Sequence, residues 1–428
     1  MTVSAAASPR PRGACPGLSA PMPTGDGLLV RFISSGPIPL DAFDGLCAAA
    51  RAHGNGVIEI TARGSIQVRG LQADTAPHFA AAIAALGIAA DDGIPVLSNP
   101  LSGLDPEELI EASEIARNLR RTLALRGLAA RLPAKVSVIV DGGGRFGLDE
   151  PAADIRLCAT YGNGAVGFDV SVGGTAATAA PLGHLAAHHG VEAATRLLEV
   201  IARHGRERRA RDILGNEGPV VFRAAIADIV SDAALRRAAR RCGDAIGMHS
   251  LRDGTIVCGI GFAFGHADGD ALERLVATAR EAGARALRAA PQRALLAIGL
   301  ARSAAADFAA AADRLGFIAR GSDPRRRVIA CAGAPICVAA HIPARALAPR
   351  IAAEADIDDT LTIHVSGCAK GCAHPTAAEL TIVGTVAGCA MIRDGTSRDV
   401  ALTTVAAEQV PATVATMLRQ RESEKLHG

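Results

Sequence analysis

The chain has 428 residues, 45 basic against 43 acidic for a net charge of +2, and is 49% hydrophobic and 21% charged. That length supports two or more cored domains, the composition excludes a disordered chain, and the balanced charge argues against a general nucleic-acid binder. No run of about eighteen apolar residues occurs, so no membrane span is expected.

In chain order, Met1 to Thr24 is rich in Ala, Pro and Ser without an apolar stretch. It reads as a flexible arm (1–24) rather than a secretory signal, which points to the cytoplasm. Asp26-Gly27 then opens an apolar run, Leu40 to His53 reads as a helix, and Gly56 to Leu71 returns as strand. The same order recurs at Asp253-Gly254, Ala271 to Ala284 and Arg285 to Leu300. Strand, helix, strand predicts a small α+β unit in each half. A second correspondence lies 225 residues apart: Val136–Gly142 with Leu361–Gly367, and Ala153–Leu157 with Ala378–Ile382. These are short apolar strands bounded by glycine-rich turns. At that offset Cys368 and Cys372 fall on Gly143 and Gly147, so the scaffold is duplicated and the thiols are not. Among the basic residues only Lys135, Lys370 and Lys425 are lysine.

The thiols form two close pairs, Cys331-x5-Cys337 and Cys368-x3-Cys372, each framed by glycine, with Pro335 inside the first. Four thiolates suit a 4Fe-4S cluster, but also zinc or two disulfides. Neither pair has the two-residue gap usual for structural zinc, and cytoplasmic disulfides are rare, so the cluster is the favoured reading. Cys47, Cys158, Cys242, Cys258 and Cys389 read as small buried hydrophobes, whereas Cys15 sits in a polar stretch.

The cysteine pattern, with Ser366-Gly367-Cys368-Ala369-Lys370-Gly371-Cys372, resembles the sulfite and nitrite reductase family. Thr61-Ala62-Arg63-Gly64-Ser65-Ile66-Gln67 is similar to that family's Thr-x-Arg-x-x-x-Gln strand, and Ser98-Asn99-Pro100 and Phe168 to Gly174 also match. The resemblance implies an internally duplicated α+β fold, the sulfite/nitrite reductase-like arrangement of two ferredoxin-like half-domains (25–95 and 246–320) and two α/β domains that bind cluster and tetrapyrrole (96–245 and 321–428). It also implies Cys331, Cys337, Cys368 and Cys372 as cluster ligands, with Cys372 bridging to siroheme in the reductases. The chain departs from the reductases where cations hold an oxyanion. Arg31 is kept but Ile33 follows it, Asp92 stands before the Ser-Asn-Pro turn, and Lys135 is kept with Ser137 as its partner.

Those departures, with Gly13-Ala14-Cys15-Pro16 and Ser366 to Pro375, resemble a branch of the family that serves oxygen-dependent cobalamin synthesis. There the tetrapyrrole is substrate: dioxygen hydroxylates a meso carbon and a ring-A lactone forms. The branch implies a 4Fe-4S cluster, a mononuclear non-haem iron and a separate electron donor. No Gly-x-Gly-x-x-Gly lies between strand and helix to bind a nicotinamide or flavin. Arg31, Arg63, Gln67, Arg69, Lys135 and Lys370 would meet the macrocycle's carboxylates. Gly173 and Gly174 would let backbone approach the ring. Arg63, Gln67 and Arg69 are expected on one strand face. His364 and His374, with His341, are the candidates for the mononuclear iron. The chain is expected to be a monomer. A siroheme-dependent sulfite or nitrite reductase and a non-catalytic tetrapyrrole-binding iron–sulfur carrier are the alternatives.

Overall fold

The fold follows one element order through the chain twice. A computed structural model describes residues 16–91, 93–162, 164–231, 243–358 and 361–427. Cys15, Asp92, Cys242 and most of the expected arm lie outside the described residues.

The first pass runs β1 (Met22–Thr24), β2 (Gly27–Ser34), β3 (Ile38–Pro39), α1 (Leu40–His53), β4 (Val57–Ile60), β5 (Ile66–Leu71) and α2 (Thr75–Ala85). It continues through β6 (Ala90–Asp91), β7 (Val96–Ser98), α3 (Ala112–Leu125), β8 (Val138–Asp141), β9 (Ala153–Gly162) and β10 (Ala165–Gly174). β11 (Ala180–Ala186), α4 (Gly190–Arg203), α5 (Ala210–Glu217) and α6 (Val220–Ala224) complete it. The second pass runs β12 (Gly247–Ser250), β13 (Ile256–Gly261), β14 (His266–Asp268), α7 (Gly269–Glu281), β15 (Ala286–Ala290), β16 (Ala294–Leu300) and α8 (Arg302–Arg314). Then come β17 (Val328–Ala330), α9 (Ala344–Glu354), β18 (Ile363–Ser366), β19 (Ala378–Thr385), β20 (Gly388–Gly395), β21 (Thr403–Val405) and α10 (Val410–His427).

The two ferredoxin-like units exchange strands. The first sheet is ordered β1-β2-β5-β4-β14 and the second β12-β13-β16-β15-β3, so each ends on a strand from the other half. The helices repeat this reciprocity. Arg51 of α1 pairs with Asp270 and Glu273 of α7, while Arg280 of α7 pairs with Asp41 and Asp44 of α1. These exposed pairs add little stability, yet they fix the register of the two helices as a symmetric dimer interface would. Beneath them Phe43, Leu46, Cys47 and Ala50 recur at helical spacing and share one core with Leu272, Leu275, Val276 and Ala279. Each large apolar side chain buried there contributes about 1.5–3 kcal/mol. The two units therefore have a single interior.

Each α/β unit holds a mixed sheet, β11-β10-β9-β8-β7 and β17-β18-β19-β20-β21. The strands β7, β8 and β9 run parallel, as do β17, β18 and β19, and the remainder are antiparallel. Val138–Asp141 and Ile363–Ser366 keep the 225-residue offset seen in the sequence, and so do the starts of β9 and β19. The first unit's core gathers Leu119, Leu157, Phe168 and Leu197, and the second's gathers Leu347, Ile363, Ile382 and Met391.

Candidate functional site

β17 and β18 lie side by side and parallel, with Val328 opposite Ile363. Cys331 directly follows the first, and Cys368 stands two residues beyond the second. Both cysteine loops thus leave from one edge, where open α/β sheets form their ligand crevices. The Cys331–Cys337 loop is tied by Cys337 N–H to Gly333 O at 2.8 Å and docks on its partner through His341 N–H to Gly367 O at 2.8 Å. Gly367 N–H donates to Cys331 Sγ at 3.0 Å. A Cβ on Gly367 would lie 2.6 Å from Ala340 Cβ, so only glycine admits the second loop here. Burial raises the Cys331 thiol, against hydrogen bonds from the Gly367 and Gly333 N–H groups. Burial also raises Cys372, reinforced by Cys368 and Cys337 and opposed by Arg69 and Lys370. The four cysteines are all free thiols; Cys331 lies within electrostatic reach of Cys368 and Cys372, and Cys372 within reach of Cys368 and Cys337.

Among the described residues no three His, Cys, Asp or Glu side chains come close enough to hold one metal ion. A single zinc does not fit that spread. A cluster of four irons sets its ligands further apart, and N–H groups aimed at a ligand sulfur are the usual cluster cradle. The residues fit a 4Fe-4S cluster.

Facing the cysteines is the polar side of the first sheet. Register aligns Arg31 of β2 with Gln67 of β5, Gln67 with Glu59 of β4, and Glu59 with His266 of β14. Arg31 donates to Gln67 Oε1 through Nε at 3.0 Å and Nη2 at 2.6 Å, and Gln67 Nε2 donates to Glu59. Arg345, in the first turn of α9, reaches across to Glu59 Oε1 at 2.7 Å. Arg69 forks onto Asp26 at 2.9 and 2.7 Å. Burial pushes the Asp26 carboxyl up, but Arg69 and Thr24 outweigh it and the net shift is downward. Arg69 in turn is raised by Asp26 and Glu59 against its own burial. Burial, aided by Arg345, pulls His266 down to about 4.

A further cation enters from the second half. Arg293 lies at the tip of the β15–β16 hairpin, where Gln292 (φ 64) and Arg293 (φ 59) are both left-handed. Non-glycine residues pay about 1–3 kcal/mol each for that conformation. Burial lowers the Arg293 pKa, with Glu59 opposing, and its Nη2 approaches Ala373 O at 3.4 Å.

The expected site residues divide. Arg31, Gln67 and Arg69 share the polar face, and Arg69 and Lys370 flank Cys372, with Lys370 exposed. Arg63 does not lie on their strand: it occupies the exposed turn before β5 and donates to Ala152 O at 3.2 Å. The five residues between β4 and β5 are needed for the hairpin tip, whose Ala62 O accepts from Gln292 N–H at 3.1 Å. Lys135 is exposed ahead of β8. Gly173 and Gly174 make room for the protein itself. A Cβ at Gly173 would meet Leu214 Cδ1 at 2.4 Å, and one at Gly174 would meet Thr178 Oγ1 at 2.6 Å. Their lack of side chains makes room for α5 and the following turn. His364 is wholly buried with neither ring nitrogen hydrogen-bonded, and burial, with His374 and Arg293, takes it down to about 4. His374 stacks edge-on at 5.7 Å and keeps its Nε2 3.0 Å from Thr376 Oγ1, while His341 is exposed. Two imidazoles without a third ligand do not make the expected mononuclear iron site among the described residues.

Sequence reasoning missed Glu59, Asp26, Arg345, Arg293 and Gly25. A Cβ on Gly25 would lie 2.4 Å from Cys337 Sγ, so the start of the first half closes over the second half's cysteine. The repeat held one signal: Arg293 aligns with Gly64, an arginine where the other half keeps glycine.

Residues 20–86 match the nitrite/sulfite reductase ferredoxin-like half domain, and residues 89–213 match the nitrite and sulphite reductase 4Fe-4S domain. A protein described as precorrin-3B synthase, from Sinorhizobium sp, is 39% identical over 90% of this chain and 83% of its own length. The chain belongs to the nitrite and sulfite reductase family. A ferredoxin–nitrite reductase of Synechococcus elongatus is 25% identical over 76% of this chain and 70% of its own. The structure of the NirA protein of Mycobacterium tuberculosis superposes with a TM-score of 0.74 at 18% identity, covering 92% of this chain and 80% of that one. The duplicated reductase-like fold expected from the repeat is borne out, and family membership makes the chain an oxidoreductase with an iron–sulfur cluster. The 4Fe-4S domain match falls on the half with Gly143 and Gly147, whereas all four paired cysteines lie beyond residue 213. No helix among the described residues is long and apolar enough to cross a membrane.

Proposed function

We propose that the chain is a precorrin-3B synthase, binding precorrin-3A against the polar sheet face beside the cysteine quartet. Dioxygen, with two electrons and two protons, would hydroxylate a meso carbon and release water, and a ring-A lactone would form. The observation that carries this reading is the arrangement of Arg31, Gln67, Arg69, Arg345 and Arg293 in front of the four cysteines. Such guanidinium forks pair bidentately with carboxylates, and a precorrin rim is lined with acetates and propionates. The 39% identity to a precorrin-3B synthase supports the same substrate.

Cys331, Cys337, Cys368 and Cys372 would hold a 4Fe-4S cluster, which supplies single electrons when bound. The chain's own residues bind and orient the macrocycle and keep the reacting edge dry. Ile33, standing where the reductases carry an arginine, packs on Leu97, Ile139, Leu148 and Ala153. The chain is thus apolar at the one position where the reductases place that cation, while Arg63, Arg120 and Arg288 line the same pocket and offer guanidinium groups to the acid arms of a macrocycle. A separate donor would deliver electrons at the exposed edge of Cys372, beside exposed Ile336 and Val338. The duplication already joins the two halves in one core, so a monomer suffices.

The test is turnover of precorrin-3A with reductant under oxygen, together with the absorption spectrum of the purified chain. The expected result is the hydroxylated lactone with no siroheme bands. Siroheme bound as purified would defeat the synthase reading, and absence of product under turnover would leave an iron–sulfur carrier.

A further inference from the structure

We infer that Arg293 is the anchor for one carboxylate arm of the tetrapyrrole, placed there by the second half of the duplication. This rests on the macrocycle reading above.

The conformation is the first reason. The β4–β5 and β15–β16 hairpins align residue for residue, Glu59 opposite Gln67 matching Arg288 opposite Leu296. Arg293 therefore stands where the first half has Gly64, and both are left-handed, at φ 59 and 77. Glycine adopts that conformation without strain. The second half keeps an arginine in it, and strain retained against an available glycine points to a job for the side chain. Room is left for it: a Cβ on Gly265 would lie 3.2 Å from Arg293 Cδ and 3.3 Å from Nε.

Charge is the second reason. Among the described residues Arg293 makes no ion pair, and its side-chain hydrogen bond to Ala373 O is long at 3.4 Å. The carboxylate it feels, Glu59, is already held by Arg345 and Gln67. His364 and His374, whose own pKa values are lowered by burial and by Arg293, bring it no negative charge. A half-buried guanidinium without a counter-ion is costly, and a ligand carboxylate forked onto it would remove the cost.

Position is the third. Arg293 sits between Ala373, next to Cys372, and the Arg31–Gln67–Glu59 row. An arm fixed there sets the macrocycle's rotation relative to the cluster edge, and orientation decides which meso carbon is presented.

The assay is fluorescence titration of the full, cluster-loaded chain with uroporphyrin III, whose rim bears only acetates and propionates. Arg293→Gln should raise Kd about 10- to 100-fold, the scale of one hydrogen bond to a charged group. Arg293→Lys should recover part of the loss, and the reduced-cluster paramagnetic spectrum should be unchanged in both. Wild-type affinity in Arg293→Gln overturns the assignment. So does a cluster spectrum altered in both variants, which would make Arg293 a strut for the Cys368–Cys372 loop. If the unaltered chain ignores uroporphyrin III, the macrocycle reading falls and the anchor with it.

Discussion

Glu59→Gln is the change that separates holding the fold from holding the ligand. Glu59 accepts from Arg345 Nη2 at 2.7 Å and from Gln67, and the Arg345 and Glu59 side chains are 14% and 17% exposed. The glutamine keeps the shape but only one acceptor oxygen; with that oxygen turned to Gln67, its NH2 faces the Arg345 guanidinium and the charge-assisted bond is lost. Losing that bond in a mostly buried pair costs about 1.5–3 kcal/mol. For a cooperative unit of roughly 150–250 residues this lowers Tm by about 3–12 °C. Ligand binding should move the other way. An internal carboxylate about 7 Å from an incoming one repels it by about 2 kcal/mol at an effective dielectric of about 20. Removing it, with ionic screening allowed for, should tighten uroporphyrin III by roughly 3- to 30-fold. Differential scanning calorimetry and fluorescence titration read the two effects on one preparation. Glu59 would then be a stand-in for substrate carboxylate. If stability and affinity both fall, Glu59 contacts the ligand directly and the stand-in argument is wrong.

Three other predictions concern the cysteines and their surroundings. Gly25→Ala puts a methyl 2.4 Å from Cys337 Sγ, next to backbone that cannot retreat, so iron and sulfide content should fall well below that of the unaltered chain. Full cluster occupancy would contradict the close approach. Cys368→Ser should abolish the reduced-cluster paramagnetic signal, because a serine hydroxyl is a poor substitute for thiolate, and an intact spectrum would remove Cys368 from the ligand set. His364, 0% exposed and held down to about 4, should make the fold acid-sensitive. The unfolded histidine binds its proton near pH 6.5, so the stabilising term is full above that value. It is lost as pH falls towards 4, by about 3 kcal/mol in all. His364→Leu should flatten thermal stability across that interval, and an unchanged pH profile would mean other groups carry it.

The repeat and the cysteine pairs were legible because both are local. Glycine-bounded apolar strands and Cys-x5-Cys with Cys-x3-Cys declare themselves within a dozen residues, and Leu40–His53 appears as the helix its spacing predicted. What stayed hidden belongs to contacts between segments far apart in the chain. Gly25 meets Cys337, Arg345 meets Glu59, and Arg293 meets Ala373, each across a span that no periodicity links. Arg63 misled for a related reason: its even spacing from Gln67 and Arg69 implies one strand face only if the strand is unbroken, and the chain turns between Ile60 and Ile66. The asymmetry of the chemistry has a physical cause as well. At the place of the Cys368–Cys372 loop the first half has Gly142-Gly143-Gly144, and that loop closes on carboxylates. Asp141 accepts from Gly143 and Leu148 N–H, and Asp105 accepts from Arg145 N–H. A Cβ on Gly142 would lie 2.5 Å from Glu108 Oε1. Those acids satisfy the loop's N–H groups as cluster sulfurs would and leave no room for a cluster. The same backbone therefore supports a cofactor in one half and a hydrogen-bonded plug in the other. The plugged half still contributes to the site: its Gly25, Glu59, Gln67 and Arg69 face the cysteines of the second. Duplication here splits the work, with thiols from one half and the polar sheet face from the other, so neither half alone could carry the site.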